Sequence, residues 1–325
     1  MTKPQANPAR VTPQVFVLGD SEAFRNSLAT ELGAELAPTE ERTFEDAEHK
    51  LRPLVDVRHR DVYVVYRLAG DGSHSVNDKL MRLLFFLATL RDAGAQRVTA
   101  VLPYLPYARK DRRTKPRDPV TMRYLAQLLE AAGVERVAAL EVHNVAAFEN
   151  AFRCETVHLE AHRAFAEVLA DLAGERPIAV ISPDTGGVKR ADAFRATLER
   201  ITGRPANPVF MEKHRSDGVV SGTAVVGSLK GCLAVIVDDL IAGGTTMRRA
   251  VDACRASGAE TVVAAATHGV FAPGAEDLLS ASGPDRLLIT NSVDSPVLAR
   301  PTDRLVVRPV EPLVASTIRN LTRNA

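Results

Sequence analysis

The stretch VIVDDLIAGGTTMRRAV, Val235 to Val251, opens on three β-branched residues and then sets two carboxylates side by side, Asp238 and Asp239. A loop of glycine and threonine follows, and then a helix-like run. Unbroken β-branched residues read as a strand buried on both faces, the kind found in parallel sheets. In open α/β sheets ligands sit beyond the carboxyl ends of the strands, and the two aspartates fall at such an end. Gly243 and Gly244 let the backbone approach a ligand closely. Thr245, Thr246 and the N–H groups that open the next helix suit a phosphate at the positive end of that helix. Carboxylates do not attract phosphate, so Asp238 and Asp239 need another partner: sugar hydroxyls, a metal ion, or both. Phosphate on one side and hydroxyls on the other describe a sugar phosphate. The plainer alternative is a helix N-cap beside two solvated aspartates.

The rest of the chain repeats the plan of strand, loop and helix. VFVLG (Val15 to Gly19), DVYVVYRL (Asp61 to Leu68), RVTAVLPY (Arg97 to Tyr104) and RVAALEVH (Arg136 to His143) read as strands in the first half. PIAVISPD, CLAVIVDD, TVVAAATHGV and RLLITNSV read as strands in the second. NDKLMRLLFFLATLRDAGA and TMRYLAQLLEAAGV read as helices, the latter with Met122, Leu125, Leu128 and Leu129 on one face and each closed by a glycine, Gly94 and Gly133. Strands alternating with helices predict parallel sheets in an α/β fold. RDAGAQRVTAVLPY (Arg91 to Tyr104) echoes RASGAETVVAAATH (Arg255 to His268). The echo fits either two related domains or the common look of helix-to-strand junctions, and a boundary near residue 160 suits both.

Composition narrows the partners. The chain has 325 residues, 46% hydrophobic, enough for two cores. Its 41 basic and 40 acidic residues leave a net charge of +1, so no whole-molecule field points to nucleic acid or membrane. Cys154, Cys232 and Cys254 stand far apart and form no disulfide framework. No apolar run approaches the roughly 18 residues of a membrane span, which predicts a cytoplasmic protein whose first dozen residues are disordered.

Anion binding must therefore come from local clusters. Six of the nine residues from Arg109 to Arg117 are basic, within PYLPYARKDRRTKPRDPVT (Pro103 to Thr121). Prolines on both sides make this a loop. Arginines in such a loop suit a polyphosphate, although a solvated loop or a nucleic-acid patch reads equally well from the residues alone. HLEAH (His158 to His162) spaces two histidines four apart without the order of a zinc motif, which predicts structural histidines. No GxxxxGK[ST] or GxGxxG occurs.

The Val235–Val251 stretch resembles the phosphoribosyl pyrophosphate loop of the type I phosphoribosyltransferase fold, a superfamily that holds transferases and ribose-phosphate pyrophosphokinases. The Pro103–Thr121 loop resembles the ATP loop of the pyrophosphokinases, which reads like PYxxYARQDRxxxPRxP and which transferases lack. Lys110 here stands where many members carry Gln. TFEDAEH is similar to the family's FSDGE segment, with Ala47 replacing Gly. SVNDKLMRLLF (Ser75 to Phe85) and SPDTGGVKRA (Ser182 to Ala191) also resemble family segments.

The resemblance runs from about Val15 to the final helix and implies the following. The fold is α/β, with two type I phosphoribosyltransferase-like domains, each a mostly parallel sheet flanked by helices: residues 1–160 with the ATP loops, and 161–325 with the ribose 5-phosphate loop, the last helix packing back on the first domain. ATP is held by Arg109, Lys110, Asp111 and Arg112, and by Phe44, Asp46 and Glu48 of a neighbouring subunit. Ribose 5-phosphate is held by Asp238, Asp239 and the loop Ala242, Gly243, Gly244, Thr245 and Thr246. That loop departs from the family's DTGGT, since its first position is not acidic and glycine and threonine are exchanged. Lys213 and Arg215, in MEKHRSDGVVSG, are the catalytic pair on a mobile loop. His143 and Asp184 are ligands of Mg²⁺, with Glu141 in EVH where the family reads DLH. The reaction implied is diphosphoryl transfer from ATP to the C1 hydroxyl of ribose 5-phosphate, in a homo-oligomer built on dimers and reaching a hexamer. No nucleic acid or membrane partner is implied. A phosphoribosyltransferase and a non-catalytic regulatory paralogue stand as alternatives.

Overall fold

The computed structural model describes residues 13–216, 219–225, 228–299 and 302–323, and of residues 212–216 and 219–224 it describes only the backbone path. The first half runs β1 (Gln14–Val17), α1 (Glu22–Leu32), β2 (Thr39–Thr43), β3 (His49–Pro53), β4 (Asp61–Arg67), α2 (Val76–Asp92), β5 (Arg97–Tyr104), α3 (Thr121–Ala131), β6 (Arg136–Leu140), α4 (Val145–Ala151) and β7 (Glu155–Leu159). The second runs α5 (His162–Ala173), β8 (Ile178–Ile181), α6 (Val188–Thr202), β9 (Ala206–Val209), β10 (Met211–Ser216), β11 (Val219–Val225), β12 (Leu233–Ile241), α7 (Thr245–Ala256), β13 (Thr261–Gly269), β14 (Arg286–Thr290), β15 (Leu305–Arg308) and α8 (Glu311–Arg323). The expected first dozen residues of disorder lie outside the described residues.

The strands form two parallel sheets, as the alternation with helices requires. One has the order β1-β4-β5-β6-β7 and the other β15-β14-β13-β12-β8-β9. Two antiparallel hairpins, β2–β3 and β10–β11, stand apart from them.

Period-2 alternation decides which core each side chain joins. Val15, Tyr63 and Val65 face one way, and Phe16, Val62 and Val64 the other. The second set meets α2 and α3 through Leu83, Phe86, Leu125 and Leu129. The first set belongs to a core that also takes Val235 and Val237 of β12, Phe165 of α5 and Phe194 of α6. Ala234 and Ile236 turn to a third core under α7. The middle core is therefore continuous between the two sheets. Helix α8 leaves the second sheet and lies on α1, where Arg319 donates to the Glu31 carbonyl and Thr322 Oγ1 donates to Tyr63 Oη at 3.2 Å. Among the described residues no helix is long and apolar enough to cross a membrane.

Two local readings change. The strand expected over Arg136–His143 stops at Leu140, because Glu141 adopts φ +41° and turns the chain. In α3 the buried stripe is Met122, Leu125, Ala126 and Leu129, and Leu128 is 49% exposed. Leu128 lies six residues after Met122, at the edge of the apolar face.

Candidate active site

Parallel strands point their carboxyl ends the same way, so the loops after β5, β6, β8 and β12 gather at one edge of each sheet. A cleft of about 1120 Å³ opens there between the halves. It is lined from the first half by Arg109, Arg112 and His143, and from the second by Asp184, Asp238 and Thr246.

Asp238 and Asp239 fall within the last turn of the β12 ladder, which stays paired with β13 to Ile241. The loop that follows reaches α7 through Gly244, the helix N-cap, at φ +74°. The conformation favours glycine, and a Cβ there would also crowd Leu278, lying 3.1 Å from its Cδ1. No side chain caps α7, so the N–H groups of its first turn are available to an anion.

Two residues tie this acidic tip to the opposite half. His143 Nδ1 lies 2.8 Å from Asp239 Oδ2. Because a carboxylate only accepts, Nδ1 carries the proton and Nε2 of the neutral ring carries the lone pair. Arg190, in the first turn of α6, places Nη1 3.2 Å from Asp238 Oδ1 and 3.5 Å from Asp239 Oδ1, while Nη2 donates to the His143 carbonyl at 3.0 Å. Asp184 lies three residues beyond β8, where Gly186 and Gly187 N–H donate to its Oδ1 at 2.9 and 3.0 Å. Gly187 leaves no room for a side chain, since a Cβ would sit 2.8 Å from Ser182 Oγ.

These contacts separate the two carboxylates electrostatically. Burial, then the charge of Asp239, pushes Asp238 up to about 8. Burial works against the ionised form of Asp239 as well, but the His143 hydrogen bond and the Arg190 charge outweigh it and hold that carboxyl well below the ordinary range. The bond to Asp239 raises His143 in return. Beneath them burial pushes Glu141 up to about 7 and His162 down to about 4. His162 Nε2 lies 3.2 Å from Glu141 Oε1, and that oxygen accepts from Ala161 N–H at 3.1 Å. The HLEAH pair does not share a helix face: His158 belongs to β7 and His162 opens α5. Buried His268 closes the seam behind the tip. Its Nε2 lies 3.1 and 3.2 Å from the carbonyls of Leu140 and Glu141, so this nitrogen donates and Nδ1 accepts from Ser292 Oγ at 2.8 Å.

The site residues expected from sequence divide into three groups. Arg109, Asp111, Arg112, His143, Asp184, Asp238, Asp239 and Ala242 through Thr246 line the cleft, and Lys110 lines a smaller cavity of about 220 Å³ beside it. Phe44, Asp46 and Glu48 form the tip of the β2–β3 hairpin, outside the lining of this chain's own cleft. Lys213 and Arg215 lie on β10, and their side chains are outside the described residues. Sequence reasoning missed Arg190, and it read His268 in ATHGVF only as shaping a strand end. The Arg in SPDTGGVKRA reads as part of a turn, and only the start of α6 at Val188 aims it at the acidic tip.

The donor set can be tested against a magnesium ion. Among the described residues no three His, Cys, Asp or Glu side chains converge as a ready metal shell. Mg²⁺ is ordinarily held by one or two carboxylates with water and substrate phosphates. Asp184, oriented by two backbone donors, supplies such a carboxylate, and His143, oriented by Asp239 as metal-bound imidazoles are oriented by a carboxylate, would add a nitrogen donor.

The chain matches known proteins along its length. Residues 14–133 match the N-terminal domain of ribose phosphate pyrophosphokinase, and residues 183–325 match the phosphoribosyl synthetase-associated domain. The ribose-phosphate pyrophosphokinase of Fusobacterium nucleatum is 33% identical over 96% of this chain and 95% of its own. That of Hyphomonas neptunium is 31% identical over 91% and 92%. The crystal structure of phosphoribosylpyrophosphate synthetase from Mycobacterium smegmatis superposes with a TM-score of 0.85 at 29% identity, covering 96% of this chain and 99% of that one. By sequence, by domain content and by fold, the chain belongs to the ribose-phosphate pyrophosphokinase family and is an enzyme of that family.

Proposed function

We propose that this enzyme transfers the β,γ-diphosphoryl group of ATP to the C1 hydroxyl of ribose 5-phosphate, giving 5-phosphoribosyl 1-diphosphate and AMP. The supporting observation is convergence. Arginines of the loop after β5, His143, the acidic tip of β12 and the uncapped start of α7 all line one cleft. In this reading Asp238 and Asp239 hold the ribose hydroxyls, and the Ala242–Thr246 loop holds the 5-phosphate through backbone donors and threonine hydroxyls. The segment Arg109, Lys110, Asp111 and Arg112 forms the nucleotide clamp, with Arg109 and Arg112 as its cations on the cleft; the adenine and ribose of the nucleotide meet Phe44, Asp46 and Glu48 of a second copy in a homo-oligomer. The two units are residues 1–160 and 161–325.

As the C1 oxygen bonds to the β-phosphorus, the bond from that phosphorus to the α,β-bridging oxygen breaks. AMP departs with the bridging oxygen, and the hydroxyl proton is lost to solvent. Lys213 and Arg215 close over the transferring group and balance its charge. Mg²⁺ held by His143 and Asp184, when bound, neutralises charge on the triphosphate. Positioning and electrostatics carry the reaction, with no covalent intermediate on the enzyme.

The test is AMP release from ATP, with and without ribose 5-phosphate. Release that depends on the sugar supports the reading. Diphosphate released from 5-phosphoribosyl 1-diphosphate only when a nucleobase is added would replace it with a transferase. Inactivity of the purified chain would favour the regulatory paralogue, which the altered Ala242–Thr246 loop keeps in view. Lys213→Ala should sharply reduce kcat with a smaller effect on ribose 5-phosphate binding.

A further inference from the structure

The basic loop between β5 and α3 carries six cations in nine positions, and only part of that charge faces the cleft. Arg109 and Arg112 line it, whereas Arg113, Lys115 and Arg117 line neither it nor the smaller cavity. Cations this close repel one another, so an uncompensated loop would splay and present its arginines in many positions. Of the loop's two acids, Asp111 accepts from Asn144 Nδ2 at 2.7 Å. The other, Asp118, gathers the loop onto one oxygen. Its Oδ2 accepts from Lys110 Nζ at 2.5 Å, Thr114 Oγ1 at 2.7 Å, Lys115 N–H at 3.0 Å and Thr114 N–H at 3.1 Å. Its backbone carbonyl accepts from Arg113 Nε at 3.2 Å, and Lys110 Nζ also reaches Thr114 Oγ1 at 3.0 Å. The loop's base is closed separately, by Thr121 Oγ1 donating to the Tyr107 carbonyl at 2.9 Å. The Lys110 bond, followed by those from Thr114, holds the Asp118 carboxyl well below its ordinary range.

We propose that Lys110 and Asp118 form a brace that fixes the loop in its binding shape, so that Lys110 serves the loop rather than the nucleotide and Asp118 is a positioning residue for the arginines that do face the cleft. The proposal rests on the reading of this loop as a nucleotide clamp. It gives a physical role to the lysine that stands where many relatives have glutamine: a cation that can pair with Asp118. A loop already ordered loses less freedom on binding, and that gain appears in affinity rather than in the chemical step.

A double-mutant cycle on the full chain tests the brace. Lys110→Gln, Asp118→Asn and the pair are compared by sugar-dependent AMP release and by trypsin cleavage within residues 109–117 of the folded protein. Each single change is expected to raise KM for ATP roughly tenfold, with kcat within about twofold and KM for ribose 5-phosphate unmoved. The double variant should be no worse than the poorer single, and trypsin should cut all three several-fold faster than wild type, by roughly the factor that loop ordering contributes. Asp118→Glu should recover part of both effects. Singles that multiply in KM would show that Lys110 touches the nucleotide directly, which overturns the brace. So would an Asp118→Asn variant with wild-type KM and wild-type cleavage. If wild-type protein releases no AMP, the proposed function fails, and the cleavage rates alone then decide the brace.

Discussion

Two loops face each other across the cleft and are built in opposite ways. The acidic tip of β12 takes its shape from residues far away in sequence: Asp239 meets His143 across 96 residues, Arg190 reaches Asp238 across 48, and His268 reaches Leu140 across 128. The basic loop takes its shape from itself, since Asp118 binds Lys110 eight residues away and Thr114 four away. The acidic tip is nearly buried, with Asp239 3% exposed, whereas residues 112–117 of the basic loop are exposed. The difference follows from charge. Two adjacent carboxylates under a sheet edge need fixed counter-charges from the surrounding fold. A solvated cationic loop needs only a local anchor. Damage to the tip should therefore reach stability and activity together, and damage to the loop should reach nucleotide binding alone.

The largest expected effect comes from Arg190. Arg190→Met removes the cation beside Asp238 and Asp239 and the donor to the His143 carbonyl, leaving Asp238 without its counter-charge and Asp239 with His143 alone. Loss of one partner of a buried ion pair destabilises by about 3–5 kcal/mol, and turnover should fall at least 100-fold, in proportion to about 3 kcal/mol of lost positioning. Denaturant unfolding and the AMP assay measure the two. If Arg190→Met unfolds at the same denaturant concentration as Asp118→Asn, the contrast between the loops is wrong.

His268 gives the next effect, with a defined sign. Burial lowers its pKa to about 4 from an ordinary 6.5. Between those values the unfolded chain binds a proton that the folded ring refuses, so the contribution is complete above about pH 6.5 and is lost as pH falls toward 4. The full span corresponds to about 3 kcal/mol. His268→Gln keeps a donor for the Leu140 and Glu141 carbonyls but does not ionise. It should be less stable than wild type at neutral pH and lose less between neutral pH and pH of about 4.5. Urea unfolding at both pH values reads the difference. Parallel pH curves for the two proteins would remove His268 from the seam.

How much of this the sequence could show follows from the same contrast. Strands buried on both faces are legible as apolar runs, and strand-end loops as abrupt changes of residue type, so Val235–Val251 reads correctly as strand, loop and helix. The echoed segments Arg91–Tyr104 and Arg255–His268 both fold as a helix end leading into a strand, with Gly94 and Gly258 at φ +86° and +91°. Their last residues, Tyr104 and His268, meet edge-on at 5.1 Å between ring centres. That contact, like the grip of Arg190, exists only once the two sheets have docked. Periodicity within one element carries no signal for it. The turn at Glu141 was hidden for a related reason: the pairing of Glu141 with His162 and Ala161, which accompanies the left-handed conformation, comes from the far end of β7.

The comparison sharpens at the Ala242–Thr246 loop, proposed to hold the 5-phosphate. Its shape is carried by backbone, so one methyl group should distinguish it from the basic loop. Gly244→Ala forces a side chain into φ +74° and against Leu278. The left-handed conformation alone costs about 1–2 kcal/mol. KM for ribose 5-phosphate should rise while KM for ATP holds, the reverse of the pattern expected for Asp118→Asn. Equal shifts in both constants would mean that the two loops move as one.

The smallest effect concerns the β2–β3 hairpin, which shares the local construction of the basic loop but carries a strained residue. Ala47, in the place of the family's glycine, sits at φ +69°. The turn keeps its form through Phe44 N–H to the Glu48 carbonyl at 2.8 Å and Glu48 N–H to Asp46 Oδ1 at 3.1 Å, and Arg42 lies 4.7 Å over the Phe44 ring. Ala47→Gly relieves about 1–2 kcal/mol of left-handed strain and returns about 0.4–1 kcal/mol to the unfolded chain as entropy. The net gain should not exceed about 1.6 kcal/mol, the difference between those bounds, and thermal unfolding would detect it. A destabilised variant would mean that contacts made by the alanine methyl, rather than the turn's own hydrogen bonds, hold Phe44, Asp46 and Glu48 in place. The hairpin would then belong with the acidic tip, as a region whose shape is imposed from outside.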